Sequence, residues 1–206
     1  MDKIAIIDYG VGNLFSLYSS LKYIGCEAVV TSDAATIKSC GKLLLPGVGA
    51  FADAAAMLRS GGLDGLVKEE ALRGKPLLGV CLGMQMLFEK SLEFGEHAGL
   101  GLLPGVVAPI KKRVPPDSKI PHIGWNALKF PGNNKSPLFR YTNEGDHVYF
   151  FHSFHAEQCW DTIIATTEYG AELTAATGRG NIFGTQFHPE KSGVVGLGIL
   201  RAFAGL

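Results

Sequence analysis

One stretch of this 206-residue chain indicates both its fold and its chemistry: Lys75-Pro76-Leu77-Leu78-Gly79-Val80-Cys81-Leu82-Gly83-Met84-Gln85. Residues 76–80 form a short apolar run that predicts a buried strand, and the apolar spacing over residues 82–89 predicts a helix. Cys81 lies between the two, in a frame made by Gly79 and Gly83. A sharp strand-to-helix turn with small neighbours exposes its central side chain, as in a nucleophile elbow. A free cysteine is commonly a buried structural residue, so this stretch alone leaves both interpretations of Cys81 open.

The rest of the first half of the chain predicts the fold class. Its pattern alternates strands, predicted at residues 3–8, 27–31, 42–45 and 76–80, with helices, predicted at 13–24, 34–38, 51–73 and 82–89. The third of these helices is broken at Gly61-Gly62. Strands that alternate with helices form a parallel, doubly wound sheet, and such α/β sheets bind ligands at the carboxyl ends of their strands. We therefore expect Cys81 to lie at a ligand-binding edge.

After residue 93 the pattern changes to short strands separated by turns rich in glycine and proline. These strands are predicted at residues 105–110, 120–128, 147–156, 163–169, 173–177 and 182–187, with a tight turn at 178–181 and a closing helix at 194–203. Short strands joined by tight turns favour antiparallel hairpins. We expect one α/β domain over residues 1–206, with a mostly parallel sheet and an antiparallel extension.

Composition excludes several classes of function. Lysine plus arginine and aspartate plus glutamate both number 19, and this zero formal net charge argues against nucleic acid as a partner. No apolar run approaches the length of a membrane span. The four cysteines lack zinc-site spacing, which predicts no metal and a reducing, cytoplasmic location. A Gly10-x-Gly12 pair resembles a dinucleotide loop, but Phe15 replaces the third glycine, so we expect no NAD.

A cysteine nucleophile needs a base, and His188-Pro189-Glu190 is the best candidate among the six histidines. Pro189 keeps His188 out of the helical region, so the tripeptide is extended. Residues i and i+2 of an extended chain share a face, and Glu190 can therefore orient the imidazole and stabilise its charged form. Cys81, His188 and Glu190 make a plausible catalytic triad. The same tripeptide is also consistent with an ordinary loop after a strand.

Acyl chemistry also needs backbone donors for an oxyanion. The amide of Leu82, directly after the candidate nucleophile, is one candidate. The Pro46-Gly47-Val48-Gly49 loop at the end of the third predicted strand could present a second, the Val48 amide, although it is equally consistent with a plain strand-to-helix connection.

Together these residues resemble the triad-type, class I glutamine amidotransferases, which have a flavodoxin-like fold. Within that superfamily the chain is most similar to the glutaminase subunits of imidazole glycerol phosphate synthase, on motifs that extend from residue 8 to residue 192. Those motifs are Asp8-Tyr9-Gly10-Val11-Gly12-Asn13, Pro46-Gly47-Val48-Gly49-Ala50-Phe51, Pro121-His122-Ile123-Gly124-Trp125-Asn126, Tyr149-Phe150-Phe151-His152-Ser153-Phe154 and His188-Pro189-Glu190-Lys191-Ser192. The chain departs from the family at Phe154, where tyrosine is common.

The resemblance implies that Cys81 attacks the side-chain amide of L-glutamine, with His188 as base and Glu190 holding the imidazole. It implies a glutamine pocket formed by Gly49, Gln85, Ser153 and Phe154. It also implies a partner, a (β/α)₈ cyclase subunit that receives the ammonia and forms a heterodimer with this chain, and no cofactor. At that interface the resemblance suggests Trp125, Tyr149 and Lys191.

Three alternatives remain open from the sequence. The chain could supply ammonia to another synthase, for anthranilate or pyridoxal phosphate, although the motif around Trp125 argues against this. It could be a stand-alone cysteine peptidase or γ-glutamyl hydrolase. It could also be a non-catalytic binding module on the same fold, which a missing triad residue would favour; all three are present.

Overall fold

The computed structural model describes residues 2–132 and 135–206, and its first half alternates strands with helices. The order is β1 (Ile4–Ile7), α1 (Leu14–Tyr23), β2 (Ala28–Thr31), α2 (Ala34–Ser39), β3 (Lys42–Leu45), α3 (Phe51–Ser60), α4 (Leu63–Leu72), β4 (Leu77–Val80) and α5 (Leu82–Gln85). Gly62, with φ of 67°, separates α3 from α4, as the predicted break at Gly61-Gly62 requires.

The second half consists mainly of strands. It contains β5 (Lys90–Ser91), β6 (His97–Ala98), β7 (Val106–Pro109), β8 (His122–Lys129), β9 (His147–His152), β10 (Phe154–Glu157), β11 (Ile163–Glu168), β12 (Glu172–Arg179), β13 (Ile182–Thr185) and α6 (Gly193–Ala204). Short 3₁₀ turns lie at Ile110–Lys112, Pro137–Phe139, Trp160–Thr162 and Pro189–Lys191.

Within the described residues, nine strands form one sheet in the order β2-β1-β3-β4-β13-β12-β11-β8-β9. The first five strands are parallel, and antiparallel pairing begins where β12 joins β13. Four short strands form a second sheet in the order β10-β7-β5-β6. The predicted α/β fold, a mostly parallel sheet with an antiparallel extension, is confirmed.

The core lies on both faces of the parallel strands. In β1, for example, Ala5 and Ile7 pack with the apolar sides of α3 and α4, whereas Ile4 and Ile6 pack with those of α1 and α6. All four residues are completely buried, which explains why the strands are continuous apolar runs rather than alternating ones. No helix within residues 2–132 and 135–206 has the length and apolarity that crossing a membrane requires.

The helix predicted over residues 82–89 is wrong in its length, because α5 ends at Gln85. A helix that continued to residue 89 would bond each amide to the carbonyl four residues back, but the amides of Leu87 and Phe88 donate to the carbonyls of Met84 and Gln85, three residues back, at 3.0 and 3.3 Å. The amide of Leu100 donates a hydrogen bond to the carbonyl of Met86 at 2.8 Å. The amides of Leu102 and Leu103 both donate to the carbonyl of Leu87, at 2.9 and 3.0 Å. The apolar residues after Gln85 are buried by packing on this later segment, and their spacing imitates a helix.

Two further predictions need correction. The single strand predicted over residues 147–156 is two strands in different sheets, β9 and β10, divided at Ser153. The turn predicted at residues 178–181 is shorter, because Arg179 pairs with Ile182 and leaves only Gly180 and Asn181 in the loop. β5 and β6, of two residues each, were not predicted.

Candidate active site

Cys81 occupies the turn between β4 and α5. Its amide donates to the carbonyl of Thr185 on β13 at 2.7 Å, and its backbone has φ 55° and ψ −113°. A residue other than glycine in this region is strained by roughly 1–3 kcal/mol, a cost that surrounding structure must offset. A Cβ placed on Gly79 would lie 2.6 Å from the carbonyl oxygen of Gly83. The Gly-x-Cys-x-Gly frame therefore allows the strand and the helix to approach closely enough for this turn.

His188 and Glu190 meet as predicted, but the prediction that the whole tripeptide is extended is wrong. His188 has an extended backbone, and Glu190 follows in the 3₁₀ turn Pro189–Lys191. The Nδ1 atom of His188 lies 2.9 Å from the Oε1 atom of Glu190, and their side chains are only 4% and 0% exposed. Since a carboxylate oxygen accepts, Nδ1 carries the proton of this hydrogen bond. The Nε2 atom is therefore the one available for a proton from another group.

The charge state of His188 depends on its two acidic neighbours. Burial by itself lowers the pKa of His188, but hydrogen bonds with Cys81 and Glu190, together with their negative charges, raise this pKa to about 10. This pKa applies to His188 beside an ionised Cys81, so the imidazole can keep the proton that it takes from the thiol. Thus the structure brings the three predicted residues together as one interacting group.

Asn13 contributes to this group although it was not predicted individually. Its Nδ2 atom donates to Oε1 of Glu190 at 3.1 Å, which fixes the carboxylate from the side of α1. The other oxygen of Glu190, Oε2, is buried without a hydrogen-bond partner among the described residues. One carboxylate oxygen thus receives both the imidazole and the amide. The motif that contains Asn13 was noted in the sequence, but nothing in its pattern indicates a contact across 177 residues.

A cavity of about 680 Å³ opens over Cys81 and His188. The predicted residues that line it are Val48, Gly49, Leu82, Gln85, Ser153, Phe154 and Lys191. The backbone amide of Leu82 is at the first position of α5, where an amide has no partner within the helix. The predicted pocket residues therefore surround the candidate nucleophile.

The loop of residues 46–50 is fixed at both ends. The Tyr9 hydroxyl donates to the carbonyl of Pro46 at 2.6 Å, and the amide of Phe51 donates to Oε2 of Glu93 at 2.8 Å. Burial and the nearby charge of Cys81 raise the pKa of Tyr9, so its hydroxyl remains a donor. Between these fixed ends Gly49 has φ of 92°, a conformation that glycine adopts freely. The loop is therefore anchored at both ends, with a residue between them whose conformation favours glycine.

Phe154 takes part in the site through its backbone. Its carbonyl accepts from Nε2 of Gln85 at 3.1 Å and from Nδ1 of His152 at 2.9 Å. Its ring meets the ring of Phe94, with centroids 6.2 Å apart. Phe94 is 89% exposed, lines the cavity and has a φ of 51°. A hydroxyl at position 154 is thus not needed for either backbone contact.

The residues predicted for a partner interface form one cluster at the edge of the cavity, which Lys191 also lines. The rings of Trp125 and Tyr149 meet edge to face with centroids 6.0 Å apart, and Nζ of Lys191 lies 5.9 Å from the Tyr149 centroid. Trp125 is 53% exposed. The amide of His188 donates to the carbonyl of Tyr149 at 2.9 Å. The cluster is therefore joined to the triad by one hydrogen bond.

His152 also borders the cavity but differs sharply from His188. Its Nε2 lies 3.0 Å from Nδ1 of His122, whose ring is stacked between Phe150 and Tyr169. Burial lowers the pKa of His152 to about 3, so it stays neutral. His152 lies at the end of β9, whereas His155 lies on β10 and lines a different cavity. The described residues contain no group of three or more histidine, cysteine or acidic side chains arranged to hold a metal.

Glu93 and Gln186 are further site residues that the sequence did not reveal. Glu93 lines the cavity with a carboxylate that is almost buried. Gln186, which is completely buried, places its Nε2 atom 3.8 Å from the sulfur of Cys81. The available signal for Gln186 was its position two residues before His188, near the end of the strand predicted over residues 182–187. Glu93 lies between β5 and β6, two strands that were not predicted, so no signal placed it.

Comparisons with known proteins agree with this geometry. The profile of the family "Glutamine amidotransferase class-I" matches residues 5–203. A protein of Moorella thermoacetica named imidazole glycerol phosphate synthase subunit HisH is 48% identical over 100% of this chain and 96% of its own length. The subunit of the same name from Geobacillus kaustophilus is 46% identical, over 98% and 96%.

A solved structure described as a glutamine amidotransferase has the same fold. It superposes with a TM-score of 0.76 and 18% identity, and covers 98% of this chain and 99% of its own. The family match and the two full-length relatives have one consequence for classification. This chain belongs to the class I glutamine amidotransferase family and, within it, to the family of imidazole glycerol phosphate synthase HisH subunits.

Proposed function

We propose that this chain hydrolyses L-glutamine through Cys81, His188 and Glu190 and passes the ammonia to a cyclase subunit in histidine biosynthesis. The observation that supports this most strongly is the His188–Glu190 hydrogen bond of 2.9 Å, made beside Cys81 in a cavity of about 680 Å³. The names of the full-length relatives support the assignment to imidazole glycerol phosphate synthase.

The reaction begins when Sγ of Cys81 attacks the side-chain carbonyl carbon of glutamine and the thiol proton moves to Nε2 of His188. The resulting oxyanion accepts hydrogen bonds from the amides of Leu82 and, once the Val48–Gly49 peptide has turned, Val48. His188 returns its proton to the amide nitrogen, and ammonia leaves. Throughout these steps Glu190 stabilises the charged imidazole.

The glutamyl thioester is then hydrolysed. Water attacks its carbonyl carbon while Nε2 of His188 takes a proton, and collapse of the second oxyanion releases glutamate and restores the thiol. No redox step and no cofactor enters this sequence. Water must reach the thioester, and the open cavity over Cys81 and His188 provides that access.

Recognition of free glutamine requires a partner for its α-ammonium group. We assign this role to Glu93, whose carboxylate lines the cavity and already accepts from the amide of Phe51. A carboxylate and an ammonium group form a charge-assisted hydrogen bond, which is stronger than a neutral one. Because Glu93 also holds the end of the 46–50 loop, substrate binding and the conformation of that loop would be linked.

The ammonia requires an acceptor, and we propose that the partner is a (β/α)₈ cyclase subunit that docks on the cluster of Trp125, Tyr149 and Lys191. The hydrogen bond from His188 to the carbonyl of Tyr149 joins that cluster to the base. Docking would favour the turned Val48–Gly49 peptide, so the isolated chain would lack one oxyanion donor. The loss of one such donor typically costs about 10²–10³-fold in turnover.

The test is glutamate release by the isolated chain, by its complex with a purified cyclase subunit, and by the complex with the nucleotide precursor bound. We expect little release alone, more in the complex and most with the nucleotide. Equal rates in all three states would exclude gating by the partner. Absence of glutamine hydrolysis in every state would contradict the proposed function, and a Cys81→Ala complex provides the background rate.

A further inference from the structure

Gln186 is a buried polar residue that the proposed mechanism does not use. It follows β13 directly, its side chain is completely buried, and its backbone amide donates to the carbonyl of Ala175 at 2.8 Å. Its side-chain Nε2 lies 3.8 Å from Sγ of Cys81 and its Oε1 lies 3.0 Å from Nε2 of Gln85. A buried amide must be fully hydrogen-bonded to offset the loss of water, so these contacts fix its position.

The direction of this chain of hydrogen bonds is determined by a backbone carbonyl. The carbonyl of Phe154 can only accept, so the Gln85 atom 3.1 Å from it must be the nitrogen. That same nitrogen can only donate, so the Gln186 atom 3.0 Å away must be the oxygen. The remaining end of Gln186, which faces the sulfur, is therefore the NH₂ group. Reversing either amide would place two acceptors or two donors together.

Besides His188 and the nearby Tyr9, the two titratable groups that interact with it, the sulfur of Cys81 has two neutral neighbours with opposite effects on its ionisation. The carbonyl of Phe151, 3.9 Å away, accepts a hydrogen bond from the thiol and is repelled by a thiolate. The NH₂ group of Gln186 donates to the sulfur and favours the thiolate, because a hydrogen bond to the charged form stabilises that form. The proton that leaves Sγ is taken by His188. Gln186 therefore favours transfer of that proton, whereas the Phe151 carbonyl opposes it.

We propose that Gln186 is a positioning residue that stabilises the thiolate of Cys81, with Gln85 and the Phe154 carbonyl setting its orientation. This inference rests on the proposed function, in which Cys81 is the nucleophile. It assigns Gln85 a second role, in addition to its place in the substrate pocket. It also gives a reason for a buried glutamine two residues before the base, because burying an apolar side chain there would cost less free energy.

The test is the pH profile of Cys81 alkylation by iodoacetamide in the full-length chain, with the labelled peptide identified by mass spectrometry. Only the thiolate reacts, so the acid limb of the profile reports formation of the thiolate–imidazolium pair. Gln186→Met keeps a similar volume but removes the donor. We expect it to move the acid midpoint up by about one pH unit and to slow alkylation near pH 6 about tenfold, as loss of a charge-assisted hydrogen bond would.

Thr185→Val is the matched control. Thr185 is the adjacent residue, is equally buried, and its hydroxyl has no partner among the described residues, so the substitution should leave the midpoint unchanged. Gln85→Met removes the amide that orients Gln186 and should shift the midpoint in the same direction by less than Gln186→Met. If Gln186→Met does not fold, the acid midpoint of Gln85→Met tests the role of Gln186 instead.

Two failures can be distinguished. If iodoacetamide labels a peptide other than that of Cys81 in the unsubstituted chain, the proposed nucleophile is wrong. If Cys81 is labelled but the folded Gln186 and Gln85 variants have the same acid midpoint as the unsubstituted chain, the role of Gln186 is overturned. The assignment of Cys81 as the nucleophile is then unaffected. A shift of equal size in Thr185→Val would also overturn that role, because it would reflect packing rather than the hydrogen bond.

Discussion

Replacing Glu190 with glutamine separates the charge of the triad carboxylate from its shape. The Oε1 atom that accepts from Nδ1 of His188 at 2.9 Å remains an acceptor in Glu190→Gln, and the side chain keeps its volume. Asn13 can still donate to the same oxygen. What disappears is a negative charge that is completely buried beside the imidazole. The variant therefore tests how much of the activity depends on stabilising the imidazolium.

The magnitude follows from the geometry of the pair. Two unit charges about 4 Å apart interact by about 4 kcal/mol at the effective dielectric constant of roughly 20 that suits protein sites. The hydrogen bond that glutamine retains offsets roughly 1 kcal/mol of this loss. The remaining loss, about 3 kcal/mol, corresponds to a fall in kcat/KM of about 10²-fold. His188→Ala should lose more than this, because it removes the proton acceptor itself.

The assay is the pH dependence of glutamine hydrolysis by the complex. Because Glu190 is one of the groups that raise the pKa of His188 to about 10, its removal lowers that pKa. The alkaline limb of the profile should consequently move to lower pH. A Glu190→Gln enzyme with near-normal kcat/KM and an unmoved alkaline limb would refute the assigned role. Near-normal turnover in His188→Ala would contradict the assignment of His188 as the base.

The same pKa shift predicts a stability effect with a definite sign. Folding raises the pKa of His188 from 6.5 to about 10, so the stabilisation from its charged form is complete below pH 6.5 and is lost as the pH rises through about 10. The difference in Tm between the unsubstituted chain and Glu190→Gln should therefore be largest near pH 6 and shrink toward pH 10. A difference that grows with pH would contradict this sign.

Other substitutions test the loop and the interface. Tyr9→Phe leaves the buried carbonyl of Pro46 without its donor, so the free energy of unfolding in urea should fall by about 1–3 kcal/mol; an unchanged value would exclude the anchoring role. Gly47→Ala would place a Cβ 2.5 Å from the amide nitrogen of Gly83, which should lower Tm by several degrees, and an unaltered Tm would show that the loop yields freely. Lys191→Ala should weaken cyclase binding about tenfold in calorimetry, and an unchanged Kd would remove Lys191 from the interface.

The parallel half of the fold could be predicted because local sequence determines it. The strands β1, β3 and β4 are buried on both faces and are therefore nearly continuous apolar runs bounded by turns, whereas β2 at the edge of the sheet is half-buried. The length of α5 could not be predicted, because after Gln85 the amides bond three residues back and the chain packs on the segment around Leu100. That segment is separated in sequence from α5, and its influence has no local signal. The division of residues 147–156 into two strands likewise follows from pairing with two distant strands.

The site residues likewise divide into those that the local sequence predicts and those that it does not. Cys81, His188 and Glu190 could be predicted because they lie in short stretches, a strand-to-helix turn and a tripeptide, although Glu190 reaches the imidazole from a 3₁₀ turn rather than from an extended chain. Asn13 could not be assigned its contact, because it meets Glu190 only through the packing of α1 against the 3₁₀ turn.

The assignment of Cys81 as nucleophile is tested most directly by a diazo-ketone analogue of glutamine, whose reactive carbon alkylates the attacking thiol. The complex should take up one equivalent, and the mass increase should map to the peptide that contains Cys81. Cys81→Ala should take up none and should have lost nearly all glutaminase activity while keeping its fold. Labelling of Cys26, Cys40 or Cys159 instead, or substantial glutamine hydrolysis by folded Cys81→Ala, would contradict the account.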